Sequence, residues 1–267
     1  MLYANDSNSL PTDILQQVSL WIRQAGQIAL SHYHNVSPQY KADNSFLTVA
    51  DTEIQQYLER EIRTAFPDHN FIGEEEQAAE DDFVSSYIWV IDPLDGTTSY
   101  ALGLPGWGIS IGLLYRGKPL LGFFYMPLID DLTYASPEGH LYWNDKRQQK
   151  TICSEWLPKR FLAVNATAHA NFQIKIRSTR TLGSIGSSLV YTARGVAAAT
   201  FAAKARIWDL VACAAIIEAA GGRLAYIDGT SIDYLSLLDG NNTPHPIIAA
   251  HPHILAQLPQ QIRRIDD

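Results

Sequence analysis

The apolar run Tyr87-Ile88-Trp89-Val90-Ile91, which ends in Asp92-Pro93-Leu94-Asp95-Gly96-Thr97-Thr98, constrains this chain more than any other stretch. Such a run, stopped by turn residues, reads as a buried strand. Two carboxylates at its end are costly to bury unless a cation neutralises them. Pro93 has no N–H and stiffens the turn between them. Gly96 lets the backbone approach a ligand closely, and the Leu94 carbonyl is a further oxygen donor. Backbone N–H groups of the Gly-Thr turn suit a phosphate. An Asp-x-x-Asp elsewhere is usually a pair of solvated turn acids; here the preceding strand points to hard-cation ligands such as Mg²⁺ takes. Metal and phosphate together imply metal-assisted hydrolysis of a phosphate ester.

Charge supports that reading. Twenty Lys and Arg stand against 28 Asp and Glu, a formal net charge of −8. With no basic run beyond the cluster from Arg177 to Arg180, nucleic acid is not an expected partner. An acidic chain that handles an anion needs its local field reversed, and divalent cations do that. Cys153 and Cys213 fit no zinc or CxxC spacing and read as two buried thiols in a reducing compartment. The eight histidines show no metal spacing either. Neither a signal peptide nor a membrane span is expected. The apolar stretch 108–129 is cut by Arg116-Gly117-Lys118-Pro119, so it reads as a hairpin of two buried strands. A cytoplasmic location follows as the expectation.

Ile14, Val18, Trp21, Ala25 and Ile28 recur at helical spacing and predict a helix to about residue 33. A second helix is expected over about 50–65, with Ile54, Tyr57, Leu58 and Ile62 on one face, closed by Pro67. Phe71-Ile72 is a short strand, and residues 87–143 read as successive strands. The second half alternates strands near 161–165, 197–202, 223–227 and 247–250 with helices over 187–194 and 207–220. Gly221-Gly222 ends the latter, and a last helix is expected over 253–264. The polar segment 144–160 is the expected boundary between an N-terminal lobe (about 10–145) and a C-terminal lobe (about 155–265) of one domain, α+β overall.

Three more acids stand out. Glu74 follows the short strand and Gly73, whereas Glu75 and Glu76 read as a solvated face. Asp209 is the one acid near the start of an otherwise apolar helix, and Asp51 opens the second helix after Thr48. Each of these last two has a second reading as an N-terminal charge favoured by the helix dipole.

Four segments, Thr48-Val49-Ala50-Asp51, Phe71-Ile72-Gly73-Glu74-Glu75, Trp89 through Thr98, and Trp208-Asp209 running to Gly221-Gly222, together resemble the inositol monophosphatase family of Mg²⁺-dependent, lithium-sensitive phosphatases. They come in the family's order, and the resemblance covers about residues 12–262. It implies a layered αβαβα sandwich of the inositol monophosphatase and fructose-1,6-bisphosphatase type, a homodimer, two or three Mg²⁺ ions and a small phosphorylated metabolite as substrate. It places Glu74, Asp92 and the Leu94 carbonyl on a first metal. It places Asp92, Asp95 and Asp209 on a second, with a third ion sharing Glu74. Thr97, backed by Asp51, orients the attacking water. Gly96 and Thr97 bind phosphate oxygens, and Gly183 and Ser184 lie on the substrate side with Asp95 and Asp209. Many members that act on inositol carry a Glu at the position of about Ala202, where this chain has none. Myo-inositol 1-phosphate is thereby weakened as the natural substrate. 3′-Phosphoadenosine 5′-phosphate, histidinol phosphate or a sugar phosphate is the alternative, with Arg177 and Arg180 as either anion ligands or surface arginines.

Two rival chemistries read poorly. Gly108-Ile109-Ser110-Ile111-Gly112 matches a serine-hydrolase nucleophile pattern, but its flanks continue as strand. An aspartyl-phosphate mechanism of the haloacid dehalogenase type needs Asp-x-Asp, and these acids are three apart. A non-catalytic binding protein on an enzyme scaffold is the third reading, opposed by the presence of every ligand type.

Overall fold

The computed structural model describes residues 10–33, 39–40, 46–75 and 85–265. Two helices come first: α1 (Ile14–His32) and α2 (Val49–Ala65). Between them β1 (Gln39–Tyr40) and β2 (Phe46–Leu47) form a small antiparallel pair. A seven-stranded sheet follows in sequence order: β3 (Asn70–Gly73), β4 (Tyr87–Asp95), β5 (Gly108–Tyr115), β6 (Lys118–Met126), β7 (Asp131–Ala135), β8 (Leu141–Trp143) and β9 (Lys146–Gln148). Among the described strands of this sheet only β3 and β4 pair in parallel. The short helix α3 (Thr97–Ala101) separates β4 from β5.

The second half builds a five-stranded sheet from β10 (Leu162–Val164), β12 (Thr179–Arg180), β13 (Ala199–Ala202), β14 (Arg223–Tyr226) and β15 (Ile247–Ala250), in the order β12-β10-β13-β15-β14. Helices α4 (Ala168–Asn171), α5 (Ile185–Ala193), α6 (Ile207–Ala219) and α7 (Pro252–Leu255) intervene. β11 (Phe172–Ile174) pairs antiparallel with β16 (Ile262–Arg264).

Strand alternation sets the layers. Every residue of β4 is buried. Trp89 and Ile91 pack into one apolar cluster with Val18, Ile22, Ile54 and Leu58 of α1 and α2. Ile88 and Val90 pack into another, with Leu189 of α5 and Leu210, Val211 and Ala214 of α6. The same alternation recurs in β15. Ile247 and Ala249 join the α5–α6 cluster, while Ile248 and Ala250 face Phe172, Ile254 and Leu258. The order is helices, sheet, helices, sheet, helices, the layered α+β sandwich expected from the sequence.

The layer of α5 and α6 sits close to the large sheet because the contact is glycine. Gly112 of β5 and Gly122 of β6 are direct cross-strand partners. A Cβ on Gly122 would run into the backbone carbonyl of Ala212, and one on Gly112 would lie 2.7 Å from the Ala212 nitrogen. Helix and sheet thus meet backbone to backbone beside the strand that carries the paired acids. Gly122→Ala is expected to cost about 1–3 kcal/mol by overpacking, read as a lowered thermal midpoint. An unchanged midpoint would mean that the helix shifts freely over the sheet.

The predicted hairpin over 108–129 is β5 and β6, turning at Arg116 and Gly117, both with positive φ. Two expectations fail, and one expected helix is present but starts early. The helix expected over 187–194 begins two residues earlier, at Ile185, because Ser184 caps it by accepting from the Ser187 N–H at 3.0 Å. The helix expected over 253–264 is instead α7, a 3₁₀ turn over Leu258–Gln260 and the strand β16. Pro259 disfavours helix at the preceding residue and clashes with a helix interior, and the chain beyond it pairs with β11. Cys213 is buried as expected, whereas Cys153 is half-buried with its thiol 3.2 Å from the Gly195 carbonyl. Among the described residues no helix is long and apolar enough to cross a membrane.

Candidate active site

The acids reach one place by different routes. Asp92 and Asp95 sit at the end of β4, where pairing with β5 is interrupted: Asp92 opposes Ser110, and the next pair is Asp95 with Gly108. The Asp92 Oδ1 accepts the Leu94 N–H at 2.9 Å, which closes the turn over Pro93. Gly96 then takes φ +90, and a Cβ there would lie 2.9 Å from the Ser184 side chain. Only glycine makes that turn against α5 without strain. Asp95 Oδ2 accepts the Gly186 N–H at 2.6 Å, so the first turn of α5 fixes this carboxylate from the other half of the chain.

Asp209 is the third residue of α6, and its Oδ2 accepts the Arg206 N–H at 2.6 Å. It is therefore a helix cap as well as a member of the cluster. Asp92, Asp95 and Asp209 each offer a carboxylate oxygen, all within 4.8 Å of one another. Asp92 and Asp95 are buried and Asp209 is half-buried.

Such crowding shows in the acidities. Burial, followed by the charges of Glu74, Asp95 and Asp209, pushes Asp92 well above the usual carboxylate range. Burial raises Asp95 to about 6 even though Ser184 and the Gly186 N–H stabilise its anion. Burial and the charge of Asp95 push Asp209 up as well. Neighbouring carboxylates that each resist ionisation fit a divalent cation, which relieves both the burial and the repulsion. The donors are all oxygen, which suits Mg²⁺, Mn²⁺ or Ca²⁺ rather than a thiolate- or imidazole-seeking metal.

Glu74 lines the same cleft, half-buried at the end of β3. Its turn is fixed by a residue the sequence reading missed. Gln55 of α2 is buried, and its Oε1 accepts the Glu75 N–H at 2.8 Å. A Cβ on Gly73 would collide with that same amide. Glu75 is accordingly half-buried, not part of a solvated face, and Glu76 lies outside the described residues.

The two carboxylate oxygens of Asp51 have different partners. Oδ2 accepts the Thr48 N–H at 2.8 Å and the Thr48 hydroxyl, while Thr48 Oγ1 accepts the Asp51 N–H, a complete capping box. Oδ1 is left for the Thr97 hydroxyl at 3.2 Å. The Thr97 Oγ1 is also 3.0 Å from the Leu94 carbonyl oxygen. One hydroxyl proton serves one acceptor at a time, so a lone pair on Thr97 remains for a donor such as water.

The cleft is about 1040 Å³ and takes in Glu74, Asp92, Leu94, Asp95, Gly96, Thr97, Gly183, Ser184 and Asp209. Gly183 has φ +102, accepts the Ser99 hydroxyl at 2.8 Å and packs against the backbone of Pro105 and Gly106. Arg177 and Arg180 are exposed and do not line the cleft. Arg180 instead lies over the Phe161 ring at 4.9 Å. Among the described residues, the basic ones that line the cleft are Lys204 and Arg206, just before α6. The sequence offered a signal for them, two cations flanking one alanine ahead of Trp208-Asp209. Ala202 ends β13, buried, and is not a cleft residue. Ser110 is mid-strand and buried, its hydroxyl donating to the Trp208 carbonyl at 3.5 Å. It makes no nucleophile turn.

The chain is similar to known proteins over nearly its whole length. The family model described as "Inositol monophosphatase family" matches residues 12–263. The inositol-1-monophosphatase of Bacillus subtilis (strain 168) is 28% identical over 256 residues, covering 89% of this chain and 95% of its own length. The Nus factor SuhB of Pasteurella multocida (strain Pm70) is 28% identical over 255 residues, covering 90% of this chain and 92% of its own. Among solved structures, an IMPase/NADP phosphatase complexed with Mg²⁺ and phosphate superposes with a TM-score of 0.80 at 20% identity, over 93% of this chain and 94% of that one.

Proposed function

Because this chain belongs to the inositol monophosphatase family, whose members hydrolyse phosphate monoesters, we propose that it is a Mg²⁺-dependent phosphatase acting on a small organic phosphate. The observation that carries the metal dependence is the convergence of Asp92, Asp95 and Asp209 within 4.8 Å, each with its acidity suppressed. In this reading Glu74, Asp92 and the Leu94 carbonyl would hold one cation, and Asp92, Asp95 and Asp209 would hold another. Divalent cations there neutralise the cluster, lower the pKa of water and stabilise charge on the leaving oxygen.

The remaining work falls to the chain's own groups. Thr97 Oγ1 donates to Asp51 Oδ1, which leaves a lone pair that would align a water by accepting a hydrogen bond from it. Asp51 is fixed for this by the capping box on its other oxygen. First-turn N–H groups have no acceptor inside their own helix, and in this reading the Thr97 N–H and that of the capping Gly96 take phosphate oxygens. Gly183 and Ser184, which lie against Gly96, bound the space for the alcohol in this reading. The two lobes act as one catalytic unit, since Asp92 and Asp95 come from one and Asp209 from the other. With a buried alanine at position 202, no carboxylate from that strand end grips sugar hydroxyls.

Phosphate release from a panel of monoesters is the test. Activity is expected with Mg²⁺, absent after chelation, restored by adding Mg²⁺, and inhibited by millimolar Li⁺. Turnover that persists through exhaustive chelation would overturn the metal assignment.

A further inference from the structure

Away from the acid cluster, a histidine is held in a way that the chemistry above does not use. His69 lies in the turn between α2 and β3, where its backbone N–H donates to the Phe66 carbonyl at 3.1 Å. Its ring is stacked between two others. Phe66, which caps α2, lies at 4.9 Å and 14°, and Tyr87, the first residue of β4, at 4.6 Å and 15°. In that slot Nδ1 is 3.0 Å from the indole nitrogen of Trp89. An indole nitrogen only donates, so Nδ1 accepts and is unprotonated. Trp89 is fully buried, and a buried N–H without an acceptor is costly. Burial also holds the His69 imidazole below its ordinary pKa, with the charge of Asp68 opposing. The ring is thus neutral, with its proton on Nε2.

The contact matters because of where β3 sits. β3 has four residues and, among the described residues, pairs only with β4, in parallel, at the edge of the large sheet. So short a parallel pairing guards its register weakly. One step of slip moves a strand residue by about 3.3 Å and reverses its face. Glu74 follows Gly73, the last residue of β3, and Asp92 follows Ile91, the partner of Gly73 on β4. The spacing of those two carboxylates therefore follows the register of β3 on β4. At the Glu74 end, Gln55 fixes the turn. At the other end, Asn70 Oδ1 accepts the Ser85 N–H at 2.8 Å, and His69 joins the end of α2 to β4. We propose that His69 is a positioning residue: by accepting the Trp89 indole N–H it locks β3 in register, and so sets Glu74 against Asp92 for the cation they would share. The proposal rests on the metal reading above.

Calorimetric titration of Mg²⁺ into the metal-free protein tests it without using turnover. His69→Phe keeps a ring between Phe66 and Tyr87 and removes the acceptor. Trp89→Phe keeps an aromatic core residue and removes the donor. Each is expected to weaken Mg²⁺ binding by about tenfold, the lower end of what loss of a ligand-orienting group costs. His69→Asn, whose amide oxygen can stand in for Nδ1, should recover most of that loss. Because the effect runs through Glu74, His69→Phe should cost nothing further in a Glu74→Gln background. Variants that melt lower yet bind Mg²⁺ like the wild type would make His69 an ordinary packing contact and overturn the proposal. So would an equal loss in the Glu74→Gln background. In the wild-type protein, nitrogen NMR near neutral pH should find the His69 ring proton on Nε2 and a slowly exchanging Trp89 indole N–H. A proton on Nδ1 overturns the proposal even if no variant folds. Wild-type protein that takes up no Mg²⁺ overturns the metal reading and this proposal together, whereas failure of the proposal alone leaves wild-type binding intact.

Discussion

Asp92→Asn should lower turnover by roughly 10²–10³-fold or more, the loss that follows removal of one preorganised electrostatic contact to a transition state, while the protein stays folded. The substitution is close to isosteric. Its side-chain oxygen can still accept the Leu94 N–H that Asp92 Oδ1 takes at 2.9 Å, so the turn over Pro93 keeps its closing bond. What disappears is a negative charge surrounded by Glu74, Asp95 and Asp209. Without a metal that charge is a liability, since burial and three like charges oppose it. The metal-free variant should therefore melt no lower than the metal-free wild type. With a metal the charge is an asset, and the variant should gain less thermal stability from Mg²⁺. Steady-state kinetics with thermal melts in Mg²⁺ and in chelator separate the outcomes. A folded variant with near-normal turnover would remove Asp92 from the metal site. A variant that fails to fold even in chelator would make Asp92 a structural acid.

The parts of this site that the sequence disclosed are those encoded locally. A buried strand that ends in Asp-Pro-Leu-Asp-Gly-Thr carries its own turn chemistry, and Thr48 with Asp51 is a capping box readable at three-residue spacing. The parts it hid depend on contacts distant in sequence. Asp95 is held by Gly186, 91 residues away, and Gln55 supports the Glu74 turn from 20 residues away. Nothing local at either position announces its partner. The basic pair was sought at Arg177 and Arg180, where the charges are densest in sequence, but exposure and the Phe161 ring account for Arg180 there. The cations that line the cleft are Lys204 and Arg206, on either side of an alanine whose backbone bonds Thr243. The last helix misled for a different reason. Ile254, Leu258 and Ile262 keep a four-residue apolar spacing and are all buried, yet Pro259 divides them among a helical turn, a 3₁₀ turn and a strand. Periodicity reported burial correctly and backbone conformation wrongly.

In chelator, the protein should lose stability as pH rises from about 4 to 6 and beyond, and Mg²⁺ should restore it most strongly at neutral and alkaline pH. The sign follows from linkage. Asp95 is raised from its ordinary value of 3.8 to about 6 in the folded chain, and burial pushes Asp92 and Asp209 up in the same direction. Through that window the folded state binds more protons than the unfolded state. Stability is therefore greatest below the unfolded pKa and falls as these groups are forced to ionise. Other carboxylates with ordinary native pairings oppose this slope, so the diagnostic is the difference between melts with and without Mg²⁺. A cation competes with protons for the same oxygens. Its stabilisation should be small near pH 5 and should grow toward pH 8, where binding at 100 times Kd contributes about 2.7 kcal/mol. Asp209→Asn, which removes one coupled carboxylate and keeps an oxygen to accept the Arg206 N–H, should flatten that difference. A Mg²⁺ increment that is the same at pH 5 and pH 8, or that survives Asp209→Asn unchanged, would place the cation somewhere other than among these three carboxylates.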